Sequence, residues 1–488
     1  MKPLLPFDLD SDLRRRLGHR LIDLIDDYFA DLPDRPVQLS ASQRSFEPLH
    51  NPLPEAAADP EAVLEQVTRE LIEKGFHVPS ANYFGLMNPT PAYVAVLAET
   101  LVAALNPQLA TMARSQLASK IEQETLRWIG ERIGWRGPFD GSFTSGGNEA
   151  NFSALALALA ARFPNATEEG MASIGAQPVF YASAESHHSL DKSAGLLGIG
   201  RRALRRVPVN ARLEMDLQQL ETAIASDISA GKIPFAVVAT AGTTNSGAID
   251  DLEGTAAICR QRRLWFHVDG AYGGAATFSN QHRNLLRGIE QADSVTIDPH
   301  KWLAMPFAAG VILTSQPEML SRAFGIATPY MPKTAASLPV DNFKISAQWS
   351  RRANAFKLWL TLRIHGRQAY EQHINRQLAL AQDFGRWLEN SAHFELAAPV
   401  RLPILNGRVR LPGGEEKIAA AHLAVVEEVT RDGRRWISET KVAGRSVIRI
   451  MIVSYLTGEK QIAELQAAMT AAAEKVFGRK AAHSQPVR

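Results

Sequence analysis

Sulfur chemistry is nearly missing from this chain. Its 488 residues hold one cysteine, Cys259, which excludes an internal disulfide framework and a thiolate zinc site. A lone thiol suits a reducing cytoplasm, the expected location. Excess charge of one sign is missing too. With 53 basic and 51 acidic residues the formal net charge is +2, so nothing argues for nucleic acid as a partner. Long apolar runs are absent. The two longest, near 92–105 and 150–163, are broken by Glu99 and by small or polar residues, and no membrane span is expected. The first twelve residues are too acidic for a signal peptide. There is no Gly-x-Gly-x-x-Gly loop after a strand, no Gly-Lys-Ser/Thr loop and no Gly-x-Ser-x-Gly elbow, which excludes the usual dinucleotide, nucleotide and serine-hydrolase sites. No His-x-x-x-His pattern appears, and no metal is expected.

What is present is alternation. Residues 12–29 read as an amphipathic helix with Leu13, Leu17, Leu21, Ile22 and Ile25 on one stripe. A proline-spotted connection and a second helix near 62–73 follow. An apolar face without a core of its own suits a partner surface, so 1–75 is expected to be a helical dimerisation arm. From 76 to about 375, helical stretches (93–105, 119–134, 149–162) give way to short apolar runs at 179–181, 235–240, 264–268, 294–297 and 310–314. That pattern predicts an α/β domain with a mostly parallel central sheet covered by helices. Residues 376–488, with a strand near 447–453 and a closing helix at 459–476, are expected to form a small C-terminal α+β domain.

The chemistry-bearing residues follow the apolar runs. Lys301 stands in Asp298-Pro299-His300-Lys301-Trp302. Most lysines are solvated charges, but a desolvated lysine is readily deprotonated and forms a Schiff base. Asp269 ends the run 264–268, where an acid is costly unless paired. It caps the following segment or holds a pyridinium nitrogen, and with Lys301 it points to pyridoxal phosphate. Ala271 and the neighbouring glycines suit a flat ring. Gly146, Gly147 and Asn148 open a helix, where free N–H groups and the dipole favour a phosphate. His187 or His188, after another run, is placed to stack on a ring or to serve as a loop cap.

Taken in order, the segments 144–151, 183–195, 239–250, 267–274 and 298–302 resemble the group II pyridoxal-phosphate-dependent amino-acid decarboxylases, which include aromatic-L-amino-acid, histidine, tyrosine and glutamate decarboxylases. The resemblance covers roughly 75–476. It implies a fold-type-I enzyme, a homodimer with active sites at the subunit boundary, and pyridoxal 5'-phosphate as cofactor. It makes Lys301 the Schiff-base lysine and Asp269 the pyridinium partner. Gly146, Gly147 and Asn148, with His300 nearby, receive the phosphate. His187 stacks on the ring and Thr244 lies near it. Arg449 approaches the substrate, and Tyr83, Phe84 and Thr90 supply a wall of its pocket. Tyr330 matches a tyrosine that returns a proton after carbon dioxide leaves. The implied reaction turns an L-amino acid into its amine, with an aromatic one as first choice. Polar Gln108 and small Ala110 stand where aromatic-specific members carry bulky residues, which leaves acidic, diamino and histidine-like substrates open. The alternatives are an oxidative aldehyde synthase, another carbon–carbon lyase, or a non-catalytic cofactor-binding protein.

Overall fold

The computed structural model describes residues 7–44, 52–328 and 340–482. Seven strands form the central sheet: β1 (Asp140–Thr144), β2 (Pro178–Ser183), β3 (Leu204–Val207), β4 (Ile233–Thr240), β5 (Trp265–Asp269), β6 (Ser294–Ile297) and β7 (Gly310–Thr314). Their order is β1-β7-β6-β5-β4-β2-β3. β7 runs against both β6 and β1, while the other neighbours are parallel. The expected mostly parallel sheet is therefore present. β1 and β3, the two edge strands, were not among the expected runs. Their sequences, Asp-Gly-Ser-Phe-Thr and Leu-Arg-Arg-Val, carry too few apolar residues to stand out.

The central strands are apolar because helices cover both faces. Every residue of β2, β5, β6 and β7 is buried. The helix Gly147–Arg162 packs on one side with Ala154, Leu155, Leu157 and Ala158 fully covered. On the other side Phe266, Trp302, Leu303 and Tyr272 join a larger core. Because β1 points the same way as β2, β3, β4, β5 and β6, the carboxyl ends of six strands open onto one edge. Ligands in open α/β sheets sit at that edge.

A second sheet, ordered β10-β11-β9-β8, is antiparallel throughout. Its strands are β8 (Phe394–Leu396), β9 (Ile404–Val409), β10 (Ser438–Val442) and β11 (Arg445–Met451). Helix Glu415–Thr430 packs against it, and helix Glu459–Ala482 packs in turn on that helix. A long helical segment, Ala355–Asn390, joins the two sheets, and its one non-helical residue is Gly366. The expected division at 375 thus falls inside this helix. The second core also draws in Phe84 from far upstream. Phe84 N–H donates to the Trp436 carbonyl, and Met451 N–H donates to that of Phe84.

The first two helices, Ser11–Asp31 and Pro60–Lys74, are capped by Asp10 and Asp59. They pair through Arg16–Glu61 and Arg20–Glu65, each at 2.7 Å. Neither contains a buried residue, and Leu21, Ile22, Val63, Val67 and Leu71 are exposed. Among the described residues, no helix is long and apolar enough to cross a membrane.

Candidate active site

One cleft collects most of the residues singled out from the sequence. Gly147, Asn148, His187, Thr244, Asp269, Ala271 and Lys301 all line it, around about 380 Å³ of free space with the mouth included. They arrive from the ends of five strands, β1, β2, β4, β5 and β6, so no short stretch of chain builds the site.

The loop after β1 is shaped by its own side chains. Glu149 reaches back to the N–H and hydroxyl of Ser145 at 2.8 and 2.7 Å. This resembles a capping box, and it fixes how the chain enters the helix. The N–H groups of Gly147 and Asn148 have no i−4 carbonyl to bond, as at any helix start. A Cβ on Gly147 would lie 2.8 Å from Asp298 Oδ2 and 3.1 Å from Ala271 Cβ. Only glycine therefore keeps this floor of the cleft open. His300 stands behind Gly146, 2.9 Å from where a Cβ would be. Ala309 N–H donates to His300 Nδ1 at 3.0 Å, so its neutral tautomer carries hydrogen on Nε2. Burial pushes that imidazole down to about 4, against the pull of Asp298.

Asp269 closes β5 and is almost wholly buried. Its Oδ2 accepts from Asn151 Nδ2 at 2.8 Å and its Oδ1 from Ala271 N–H at 3.1 Å. Lys301 sits in a tight turn after β6, its N–H donating to the Asp298 carbonyl at 2.9 Å. Its Nζ lies 3.1 Å from Asp298 Oδ2. The other Asp298 oxygen is buried without a hydrogen-bond partner. His187 follows β2, and its Nδ1 accepts from Ser189 N–H at 3.1 Å. Burial lowers its pKa, while Asp269 works the other way.

Arg449 stands one residue back from the cleft. Its Nη1 donates to the Thr244 carbonyl at 3.3 Å and to Asn245 Oδ1 at 3.2 Å, and its Nε donates to Ser438 Oγ. Among the described residues no carboxylate pairs with it. Burial lowers its pKa, opposed by the Tyr83 phenol.

None of the three expected wall residues, Tyr83, Phe84 and Thr90, lines the cleft. Phe84 is buried in the core of the second sheet and turns away from the cleft. Thr90 is fully buried, its hydroxyl 2.6 Å from both the Pro79 carbonyl and Ser454 Oγ, so it pins the chain. Tyr83 stacks on Trp436 with ring centroids 5.4 Å apart, and burial raises its phenol to about 12. From this segment it is Met87 that lines the cleft. Tyr330 lies outside the described residues. Asn151 and Asp298 were not predicted as site residues. The spacing of Asn151, four positions after Gly147 on one helix face, was a usable signal. Among the described residues no group of three or more His, Cys, Asp or Glu is arranged to hold a metal.

An amine, a strand-end carboxylate and a glycine-floored helix start in one cleft fit a flat, phosphorylated pyridine aldehyde. Comparison with known proteins agrees. Residues 44–409 match the family described as the pyridoxal-dependent decarboxylase conserved domain. An aromatic-L-amino-acid decarboxylase of Bacillus atrophaeus is 30% identical over 474 residues, covering 96% of this chain and 97% of that protein. The acidic amino acid decarboxylase GADL1 of Bos taurus is 33% identical over 343 residues, covering 70% and 66%. The crystal structure of mouse CSAD superimposes with a TM-score of 0.89 at 25% identity, covering 95% of this chain and 99% of that one.

Proposed function

Since this chain belongs to the pyridoxal-dependent decarboxylase family, and is an amino-acid decarboxylase that uses pyridoxal phosphate, we propose that its preferred substrate is an aromatic L-amino acid. The relative at 30% identity over almost the whole chain supports this. So does apolar Met87 in the cleft.

When bound, pyridoxal phosphate supplies a ring that takes up the electron pair left as the carboxylate departs. The chain's residues prepare for that event. Lys301 would hold the cofactor through its amine. Asp269 holds the ring nitrogen as its protonated form. Gly146, Gly147 and Asn148 take the phosphate, backed by His300. His187 and Ala271, with Thr244, line the cleft where the ring would lie and would hold it in one orientation. Arg449 gives the substrate carboxylate a cationic neighbour. Tyr330 returns the proton to the carbon that lost carbon dioxide, a role that rests on the family resemblance. The observation that carries the reading is the meeting of Lys301 and Asp269 in one cleft with the Gly147 helix start.

The enzyme acts as a cytoplasmic homodimer. The exposed apolar faces of Ser11–Asp31 and Pro60–Lys74 support a partner surface, and the buried, unreactive Cys259 suits a reducing compartment.

A panel of L-amino acids scored for carbon dioxide and amine tests the substrate. Phenylalanine, tyrosine or tryptophan should turn over fastest. Inert aromatics beside rapid loss of acidic substrates would overturn the choice. In the same assay, Tyr330→Phe should shift product toward aldehyde with consumption of oxygen, and an unchanged amine yield removes the proton-return role.

A further inference from the structure

From Asn151, on the wall of the cleft beside Asp269, a chain of buried polar groups runs back into the protein that the decarboxylation itself does not call for. Asn151, on the second turn of Gly147–Arg162, is 1% exposed. Its Nδ2 donates to Asp269 Oδ2 at 2.8 Å and lies 3.0 Å from Ser189 Oγ. Its Oδ1 faces His267 Nε2 at 3.1 Å. The reverse orientation would set an amide oxygen against a carboxylate, so the network itself decides which way the amide points. An amide oxygen only accepts, and Nε2 therefore carries hydrogen.

The far side of His267 completes the order. Its Nδ1 lies 2.9 Å from Ser294 Oγ and 3.1 Å from the Ser294 carbonyl. Trp265 Nε1 donates to the same Ser294 Oγ at 2.8 Å. His267 is fully buried, and desolvation pushes it down to about 4, so the ring is neutral near neutral pH. With Nε2 protonated, Nδ1 receives the Ser294 hydroxyl proton. Donation then runs one way, from Trp265 through Ser294, His267 and Asn151 to Asp269. Four of these residues belong to β5 or β6 and one to the helix that opens at Gly147, so the chain ties three elements together at the carboxylate.

We propose that Asn151 is a positioning residue for the reaction: held in register by the His267 tautomer, it locks the rotation of the Asp269 carboxylate toward the ring nitrogen of the bound cofactor. Oδ2 is held by Asn151 and Oδ1 by Ala271 N–H, so losing either contact frees the group to turn. Asn151 acts through Asp269 and does not line up with any reacting atom. The proposal rests on the reading of Asp269 as the ring-nitrogen partner.

The test uses holoenzyme loaded with pyridoxal phosphate labelled with nitrogen-15 in the ring, and reads the nitrogen signal by NMR. Asn151→Leu keeps the volume and removes both contacts. Its ring-nitrogen signal should move toward the unprotonated position. Its kcat should fall about tenfold, the scale seen when an outer partner of a working group is removed, with KM nearly unchanged. Asn151→Ala, should leucine disturb the fold, is read in the same way, and an unchanged melting temperature of the cofactor-free protein shows the fold intact. His267→Phe should shift the signal in the same direction, and its effect should not add to that of Asn151→Leu. A wild-type nitrogen signal in Asn151→Leu overturns the proposal. If Asp269→Asn moves the signal in that experiment, the reading of Asp269 survives. If neither moves it, both fall.

Discussion

Gly147 has no room for a methyl group, and that single fact says much about the cleft. Inside a helix alanine is normally favoured over glycine by about 0.5–1 kcal/mol. Here the added carbon would stand 2.8 Å from Asp298 Oδ2 and 3.1 Å from Ala271 Cβ. Gly147→Ala should therefore lower the melting temperature of the cofactor-free protein slightly, because Asp298 or Ala271 has to shift. Its dissociation constant for pyridoxal phosphate should rise by about tenfold or more, a loss of about 1.4 kcal/mol. Fluorescence titration measures it, and unaltered affinity would remove the phosphate floor from the account. Residues of this kind were legible in the sequence because their meaning is local: a glycine pair at a helix start, an acid ending an apolar run, a lysine beside a histidine. Asn151 and Asp298 were harder to read. Asn151 touches Asp269 across 118 positions, and its spacing from Gly147 marks a shared helix face without naming that partner. Phe84 shows the converse. Its aromatic character suited a pocket wall, yet a strand partner at Met451 decided where the ring went.

Between residues and molecule, the turn after β6 is held by a helix far along the chain. Lys357, whose side chain is fully buried, donates to the carbonyls of Pro306 and Ala308 at 3.0 and 2.8 Å and pairs with Glu99 at 2.7 Å. Between those two carbonyls, Phe307 lays its ring against His300 at 4.5 Å. A buried cation thus fixes the loop that carries Lys301 into place. Breaking a buried pair from one side leaves the other charge and its acceptors stranded. Lys357→Met should cost about 3 kcal/mol of stability in urea denaturation, with weaker cofactor binding in addition. A change under about 0.5 kcal/mol, typical of surface substitutions, would show that the loop holds itself. At this scale the sequence revealed the central strands and most helices, since complete burial makes them uniformly apolar. The edge strands β1 and β3 were lost because half-covered strands have mixed composition. The reversed direction of β7 was not legible, since it depends on the path of residues 298–309 and not on the strand's own residues.

Across the whole molecule, buried histidines set the response to acid. Burial pushes His267, His300 and His422 down to about 4, whereas unfolded histidine titrates near 6.5. Between those values the unfolded chain binds more protons. Their contribution to stability is complete above about pH 6.5 and is lost as pH falls through about 4. Asp250, raised to about 6 by burial, acts in the opposite sense. Its contribution is present below the unfolded value near 3.9 and lost as pH rises through about 6. Three groups outweigh one, so the urea midpoint should drop between about pH 6.5 and about pH 4.5. A flat or rising midpoint over that interval would mean the histidines are not held neutral. The division into units was only partly legible at this scale. A boundary at 375 follows the change in composition, but the helix Ala355–Asn390 crosses it and Phe84 joins the later core.

Lys301 is where these scales meet, because sheet direction, loop and cleft all serve to place its amine. Reducing the cofactor-loaded enzyme with borohydride fixes the cofactor to whichever lysine holds it, and peptide mass spectrometry then reads the position. The adduct should fall on the peptide containing Lys301 and vanish in Lys301→Ala. An adduct on another lysine, or none on the loaded protein, would contradict the account.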